Sequence, residues 1–301
     1  MARSNRREYR DIDGVLILDK PLGLSSNQAL QQLRHLYRAR KAGHCGSLDP
    51  LATGVLPICL GQATKFSSYL LGASKTYRAS CRLGQTTTTG DAEGEVVETR
   101  PVSIEQQRVL KVLEQFVGEI EQVPPMFSAL KHEGKRLYQL AREGKQVERQ
   151  ARRVKIFELR LLSCEDDSLE IEVSCSKGTY IRTLAEDIGQ ALGCGAHLSA
   201  LRRCAVETLH QTDAVTLDRL QQLAEQGMAQ LDALLLPVTA ALGQFSELRL
   251  DDRQSLDISQ GKRVKLAQRA APGLYRLISG DGIFIGLGEV GQDAELAPKR
   301  L

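Results

Sequence analysis

Gly43-His44-Cys45-Gly46-Ser47-Leu48-Asp49-Pro50-Leu51-Ala52-Thr53-Gly54 is the stretch of this chain best suited to chemistry. Its one carboxylate, Asp49, stands between Gly46 and Pro50, and a strand-like apolar run, Val55 to Leu60, follows. A carboxylate on a short loop beside a buried strand keeps a fixed position, as a nucleophile or general base must. The same residues also make an ordinary turn, because Asp-Pro is a common turn pair and glycine supplies unusual backbone angles. Spacing alone leaves both readings open.

Other reactive-looking groups are weaker. His44 beside Cys45 suggests a thiol nucleophile, yet neighbours in extended chain point to opposite faces. His197 near Cys194 lacks further paired ligands, so no metal is expected. Gly286-Leu287-Gly288-Glu289-Val290-Gly291 spells Gly-x-Gly-x-x-Gly. Ten residues remain after it, too few for the helix and acidic residue of a dinucleotide site, so a β turn is expected. The His-x-Glu and Pro-Cys-x-x-Cys of a zinc deaminase, a Walker loop and a Gly-x-Ser-x-Gly elbow are all missing from the sequence. No cofactor is expected.

The elements that must position Asp49 follow from periodicity. Residues 11–19, Val55–Leu60 and Lys75–Leu83 read as strands, and Ser26–Arg38 as a helix capped by Ser25 or Ser26. Ile104–Phe116 reads as a helix. Arg153–Leu162 and Leu169–Ser176 alternate as paired strands do, with Ser163–Ser168 as the turn. Tyr180–Leu192 reads as a helix, and Leu198–Val206 with a helix at Leu217–Gln226 completes a domain over residues 11–240. Beyond Ala240–Gln244 come short strands with glycine turns: Ser246–Leu250, Arg263–Leu266, Gly273–Ile278 and Ile283–Glu289. These form a second domain, 245–301, which is small enough to need docking on the first. The class expected is α+β around one large sheet.

Composition narrows the partners. The 301 residues are 42% hydrophobic with net charge +3, so overall charge argues only weakly for nucleic acid. Local charge says more. Residues 131–155 hold nine Lys or Arg and three acids, a net +6, in a stretch poor in large apolar residues. Such a run is a solvated surface or an inserted arm over about 124–153 that meets phosphate. Arg3, Arg6, Arg7 and Arg10 make a second basic group in a tail over 1–10. Seven cysteines without Cys-x-x-Cys spacing, and no signal-like start, lead us to expect reduced thiols in a cytoplasm. No membrane span is expected.

Gly46-Ser47-Leu48-Asp49-Pro50-Leu51-Ala52-Thr53-Gly54-Val55-Leu56 closely resembles the catalytic motif of the TruB family of pseudouridine synthases. The resemblance runs nearly end to end. It includes Gly14 to Pro21 with Gly23-Leu24-Ser25-Ser26, then Lys41 to Gly46, Gly61 to Lys65 and Lys75-Thr76-Tyr77. Thr87 to Gly94, Phe127 to Lys131, Gly134 to Tyr138 and Lys177-Gly178-Thr179-Tyr180-Ile181-Arg182 continue it. Cys45, Ser47 and Thr88 depart from the usual residues. Gln260 to Arg263 and Phe284 to Glu289 resemble the small RNA-binding PUA domain.

The resemblance implies the pseudouridine synthase fold, a large mixed and mainly antiparallel sheet, plus that β-rich domain. It implies isomerisation of uridine-55 in the tRNA T loop, by flipping the base and remaking its glycosidic bond. Asp49 would be the nucleophile or acid–base group and Arg182 its partner, holding it ionised. Tyr77 would stack on the flipped uracil with its hydroxyl near the sugar. Tyr180 would pack beneath the site, Leu201 would line the pocket, and His44 would fill the gap the nucleotide leaves. Lys20, Lys65 and Lys131 would be phosphate contacts. The partner expected is tRNA, with no obligate protein partner and a monomeric enzyme. The rivals are a noncatalytic RNA-folding protein, which has no need of Asp49, and the catalytic subunit of a guide-RNA particle.

Overall fold

The computed structural model describes residues 9–266 and 270–301; Arg3, Arg6 and Arg7 lie outside the described residues. One ten-stranded sheet dominates. Its strands are β1 (Gly14–Lys20), β2 (Ala42–His44), β3 (Ala52–Leu60), β4 (Lys75–Leu83), β5 (Gly118–Gln122), β6 (Arg152–Glu165), β7 (Ser168–Cys175), β8 (Ala196–Val206), β9 (Leu209–His210) and β10 (Val215–Thr216). Their order is β10-β1-β3-β8-β4-β7-β6-β5, with β2 on β3 and β9 on β8. Pairing is antiparallel except for β10 on β1 and β3 on β8.

Four helices cover the sheet: α1 (Ser26–Tyr37), α2 (Gln106–Glu114), α3 (Ile181–Leu192) and α4 (Leu217–Gln226). The first turn of α1 is held by a capping box between Ser25 and Gln28, and Arg38 ends the helix in the left-handed region. Leu30, Leu33 and Tyr37 then pack with Leu217, Leu220 and Leu223 of α4 on one face of β1 and β3. Strand β4 alternates buried and open positions, so Tyr77, Ala79 and Cys81 face α3. That shared apolar layer fixes where the start of α3 meets β4 and β8.

A second, five-stranded sheet contains β11 (Glu247–Arg249), β12 (Val264–Lys265), β13 (Gly273–Ile278), β14 (Phe284–Val290) and β15 (Glu295–Arg300), ordered β11-β13-β14-β15-β12. It docks on the first as its size demanded. The Phe66 and Phe284 rings meet edge-on at 5.6 Å, and Tyr69 meets Phe245 at 5.4 Å. The Gly-x-Gly-x-x-Gly stretch is strand β14, not a turn. Gly286 sits at φ +157°, and a side chain there would meet the Arg300 carbonyl at 2.3 Å, so glycine permits close strand approach.

Several element boundaries also differ from the sequence reading: β3 begins at Ala52 and β8 at Ala196, and α2 is shorter, Gln106–Glu114. Strand β6 runs on to Glu165, and the connection shrinks to Asp166-Asp167, with Asp166 at φ +50°. Residues 123–151 hold only a two-residue hairpin, Lys131–His132 against Lys135–Arg136, and a short helix, Leu137–Arg142. The basic run, read as a solvated surface or an inserted arm, falls on this stretch.

Candidate active site

Asp49 stands on the loop from β2 to β3, and three separate elements hold that loop. The Ser26 hydroxyl, at the start of α1, accepts the Leu48 N–H at 2.7 Å and donates to the Leu48 carbonyl at 3.0 Å. The Gly23 N–H donates to the Pro50 carbonyl at 2.9 Å, and the Ala52 N–H closes a turn onto the Asp49 carbonyl at 3.0 Å. The carboxylate is thereby fixed from both sides of its own peptide.

Arg182 is the second residue of α3 and is 5% exposed. One terminal nitrogen lies 3.0 Å from an Asp49 oxygen, and the other lies 3.3 Å from Asp91. The guanidinium also donates to the Thr89 carbonyl at 3.1 Å and to the Phe127 carbonyl at 2.6 Å. It therefore ties together the Asp49 loop, the Thr87–Gly94 loop and the root of the inserted arm.

Asp91 is a functional candidate that sequence reasoning missed, although its motif was in view. It is 2% exposed and accepts the Thr89 hydroxyl at 2.5 Å and the Glu93 N–H at 3.1 Å. The signal was the motif's only aspartate, followed by Ala-Glu-Gly. Thr88, where the resemblance weakens, still serves its loop by accepting the Glu95 N–H at 3.1 Å.

The electrostatics correct one expectation. Arg182 does pull the Asp49 carboxyl down, but burial outweighs it, Asp91 adds like-charge repulsion, and the net pKa is raised above the ordinary value. Half of the side chain is open to solvent, at 49% exposure. The walls of the cleft thin the water around the rest, and that is enough to penalise the charged form. An acid raised in this way is better matched to proton transfer or attack near neutral pH than an exposed carboxylate.

Tyr77 lies on β4, paired with Arg203 of β8, and its ring packs beside Leu48 and Ile181. Burial raises its hydroxyl, while the positive charge of Arg203 opposes that shift. Leu201 is partly buried on the same layer, paired with Ala52 and Ala79. Tyr180 precedes α3, and the Gln122 side chain grips its backbone. The Tyr180 N–H donates to Oε1 at 3.0 Å, and Nε2 donates to the Tyr180 carbonyl at 3.3 Å. His44 ends β2 with Nδ1 buried and unpartnered among the described residues. Burial, then Arg203 and Arg136, holds its pKa below the usual value, which suits a neutral ring.

The three lysines separate. Lys20 is fully buried, donates to the Pro21 and Leu24 carbonyls at 2.7 and 2.6 Å, and is lowered to about 8 by burial. It cannot reach an RNA phosphate; it is a buried amine in the field of Asp49. Lys65 donates to the Leu301 oxygen at 3.1 Å, while Arg300 donates to the Lys65 carbonyl at 3.3 Å. It joins the two sheets. Lys131 alone is exposed on the arm, as a phosphate contact needs. Of the basic tail, Arg10 pairs with Asp232 at 2.5 Å. Among the described residues no cluster of His, Cys, Asp and Glu is arranged to hold a metal ion.

Known proteins resemble this chain along its length. The family described as TruB family pseudouridylate synthase (N terminal domain) matches residues 34–181. The tRNA pseudouridylate synthase B C-terminal domain matches 182–243, and the Pseudouridine synthase II TruB C-terminal region matches 246–301. The tRNA pseudouridine synthase B of Methylobacillus flagellatus is 53% identical over 98% of this chain and 97% of its own length. That of Nitrosococcus oceani is 51% identical over 100% and 98%. Among solved structures, a Cbf5-Nop10-Gar1 complex contains a chain with TM-score 0.72 and 26% identity, covering 92% of this chain and 78% of that one. With consecutive matches from residue 34 to 301 and relatives half identical along their whole length, the chain belongs to the TruB family of pseudouridylate synthases.

Proposed function

We propose that this enzyme converts uridine-55 in the T loop of tRNA to pseudouridine, without a metal or organic cofactor, as a monomer. The observation that carries the reading is Asp49 held by Arg182 on a floor of buried residues, with the basic arm rooted directly on that same arginine. The relatives' shared name supplies the substrate class. Their identity of about half, against 26% for the chain in the Cbf5-Nop10-Gar1 complex, favours a stand-alone tRNA enzyme.

The reaction breaks the C1′–N1 bond, turns the uracil and joins C1′ to C5. The target base leaves its stack and enters the cleft, at a cost of a few kcal/mol in lost stacking and pairing. Lys131 and the arm's arginines offset that cost through phosphate contacts. In the cleft Asp49 meets the nucleoside, either attacking it or accepting its proton, with Arg182 setting the carboxylate's angle. Tyr77 lies against the uracil and carries a hydroxyl to the sugar side. His44, neutral and half-buried, stacks in the vacated place. The C5 proton then leaves, to Asp49 or to solvent, and N1, freed from the sugar, takes up a proton in its place.

The decisive experiment incubates purified protein with an unmodified tRNA transcript and maps pseudouridine at single-nucleotide resolution. One new pseudouridine at position 55 is expected. Modification elsewhere, or none with RNA bound, would refute the assignment.

A further inference from the structure

Arg203 carries no role in the mechanism above, yet it is the largest fully buried side chain in the protein. It is 1% exposed, and among the described residues no carboxylate lies at ion-pair distance from it. Its neighbours include two more cations, and its charge helps to push Lys20 and Lys75 down to about 8. A buried, unpaired guanidinium is expensive, and a neutral side chain of similar volume would relieve that cost. Something must repay it.

Its contacts show what. Nε donates to the Val55 carbonyl at 2.6 Å, and one terminal nitrogen donates to the Gly46 carbonyl at 3.1 Å. These carbonyls flank the loop that bears Asp49, one on each side. The two glycines of that loop fit the same residue. Gly46 has φ +103°, and a side chain there would stand 3.4 Å from the other terminal nitrogen of Arg203. Gly54 has φ +100°, and its missing side chain would meet the Arg203 carbonyl at 2.3 Å. Arg203 is also the cross-strand partner of Tyr77 on the neighbouring strand β4.

We propose that Arg203 is a positioning residue of this active site, a rigid fork that ties both sides of the Asp49 loop to the strand paired with Tyr77. The inference rests on Asp49 and Tyr77 being the groups that meet the nucleoside. It predicts a loss in the chemical step and not in RNA binding, because Arg203 is walled off from any phosphate. Misplacement of a reacting group by about 1 Å costs on the order of 100-fold in rate. Lys at this position keeps the charge but loses the planar fork; Gln keeps an amide donor but loses the charge.

The test uses full-length Arg203→Gln and Arg203→Lys with an unmodified tRNA transcript. Thermal melting, the tRNA dissociation constant and the single-turnover rate at saturating enzyme are measured side by side. Both variants should fold and bind tRNA within about threefold of wild type, with Gln slowed by about 100-fold and Lys by less. A rate within threefold of wild type overturns the proposal, as does a loss that resides in affinity. Failure of both variants to fold also overturns it, by making Arg203 a scaffold residue. Wild-type turnover separates the two readings. An inactive wild type sinks the uridine reading and this inference with it; an active wild type with equally active variants sinks this inference alone.

Discussion

Asp91→Asn should shift the acid limb of the pH–rate profile to lower pH while lowering the plateau. Asn is nearly isosteric and keeps an oxygen for the Thr89 hydroxyl and the Glu93 N–H, so the loop should persist. What it loses is a charge on the far side of Arg182, whose two terminal nitrogens lie 3.0 Å from Asp49 and 3.3 Å from Asp91. The two carboxylates share one guanidinium, and the Asp91 charge is among the causes that raise the Asp49 pKa, so removing it lowers that pKa. Water at the open half of Asp49 screens this repulsion without cancelling it.

The sign follows from the acid's chemistry. Asp49 works ionised, so activity is full above its pKa and is lost as pH falls through it. Removing a neighbouring negative charge lowers that pKa, and the limb moves down. The plateau falls because Arg182 loses one of the two anions that orient it, which costs about 10- to 100-fold. Single-turnover rates from pH 4.5 to 8 at constant ionic strength would show both effects. An upward shift would refute the reasoning. It would mean that Asp91 acts by pressing Arg182 against Asp49, and that this contact outweighs direct repulsion.

Other perturbations follow from the same geometry. Asp49→Asn should abolish turnover with tRNA affinity nearly unchanged, and substantial residual turnover would remove Asp49 from the chemistry. Arg182→Lys should be severely slowed, since an ammonium cannot serve Asp49, Asp91, Thr89 and Phe127 at once. For Lys20, lowered from 10.5 to about 8, the unfolded chain holds more protons between those values, so stability rises with pH there. Urea unfolding should therefore show the wild-type stability, relative to Lys20→Met, increasing by about 2 kcal/mol from pH 8 to pH 10. Neutralising Arg142, Arg152 and Arg153 together should weaken tRNA binding and reduce its salt slope by somewhat less than one for each true phosphate contact. Superimposable salt titrations would exclude these residues from the RNA surface.

The sequence was most legible where one element carries its own pattern. Strand β4 and helix α4 fall where alternation and a 3.6-residue period put them, with Thr216 as the helix cap. Strand β2 has three residues, too few for any period. Strand β5, Gly-Glu-Ile-Glu-Gln, shows little apolar content because it is an edge. The helix Asp252–Ser259 was missed because Ile258 alone is buried, though its Asp251–Gln254 capping box was readable. At the site, Asp49, Tyr77 and Arg182 were visible as residues of recognisable local motifs. Gln122 and Arg203 were not. Their meaning lies in partners 58, 148 and 157 positions away, set by the β3–β8 and β5–α3 neighbourhoods, which no local period encodes.

The charge balance under the cleft explains why this region breaks ordinary rules of burial. Lys20, Lys75, Arg182 and Arg203 are each 7% exposed or less, against one equally buried acid, Asp91, and the half-open Asp49. Lys75 spends its ammonium on the carbonyls of Leu70, Leu71 and Ala73, and Lys20 spends its own on Pro21 and Leu24. Carbonyl dipoles solvate these cations without cancelling them, so the floor of the cleft keeps a positive field. Such a field costs stability in the resting protein, which the extensive apolar layers on the sheet can absorb. In the proposed reaction it has a use. The uracil leaves C1′ with the bonding electrons while Asp49 remains beside it, so negative charge accumulates where water is scarce. Fixed cations below that point need no reorganisation at the moment of bond cleavage, which is where preorganised electrostatics contributes most to rate. Neutralising a floor cation that has no anionic partner among the described residues, Lys20 or Arg203, should therefore raise stability and lower turnover together, a combination that simple damage to the fold does not produce.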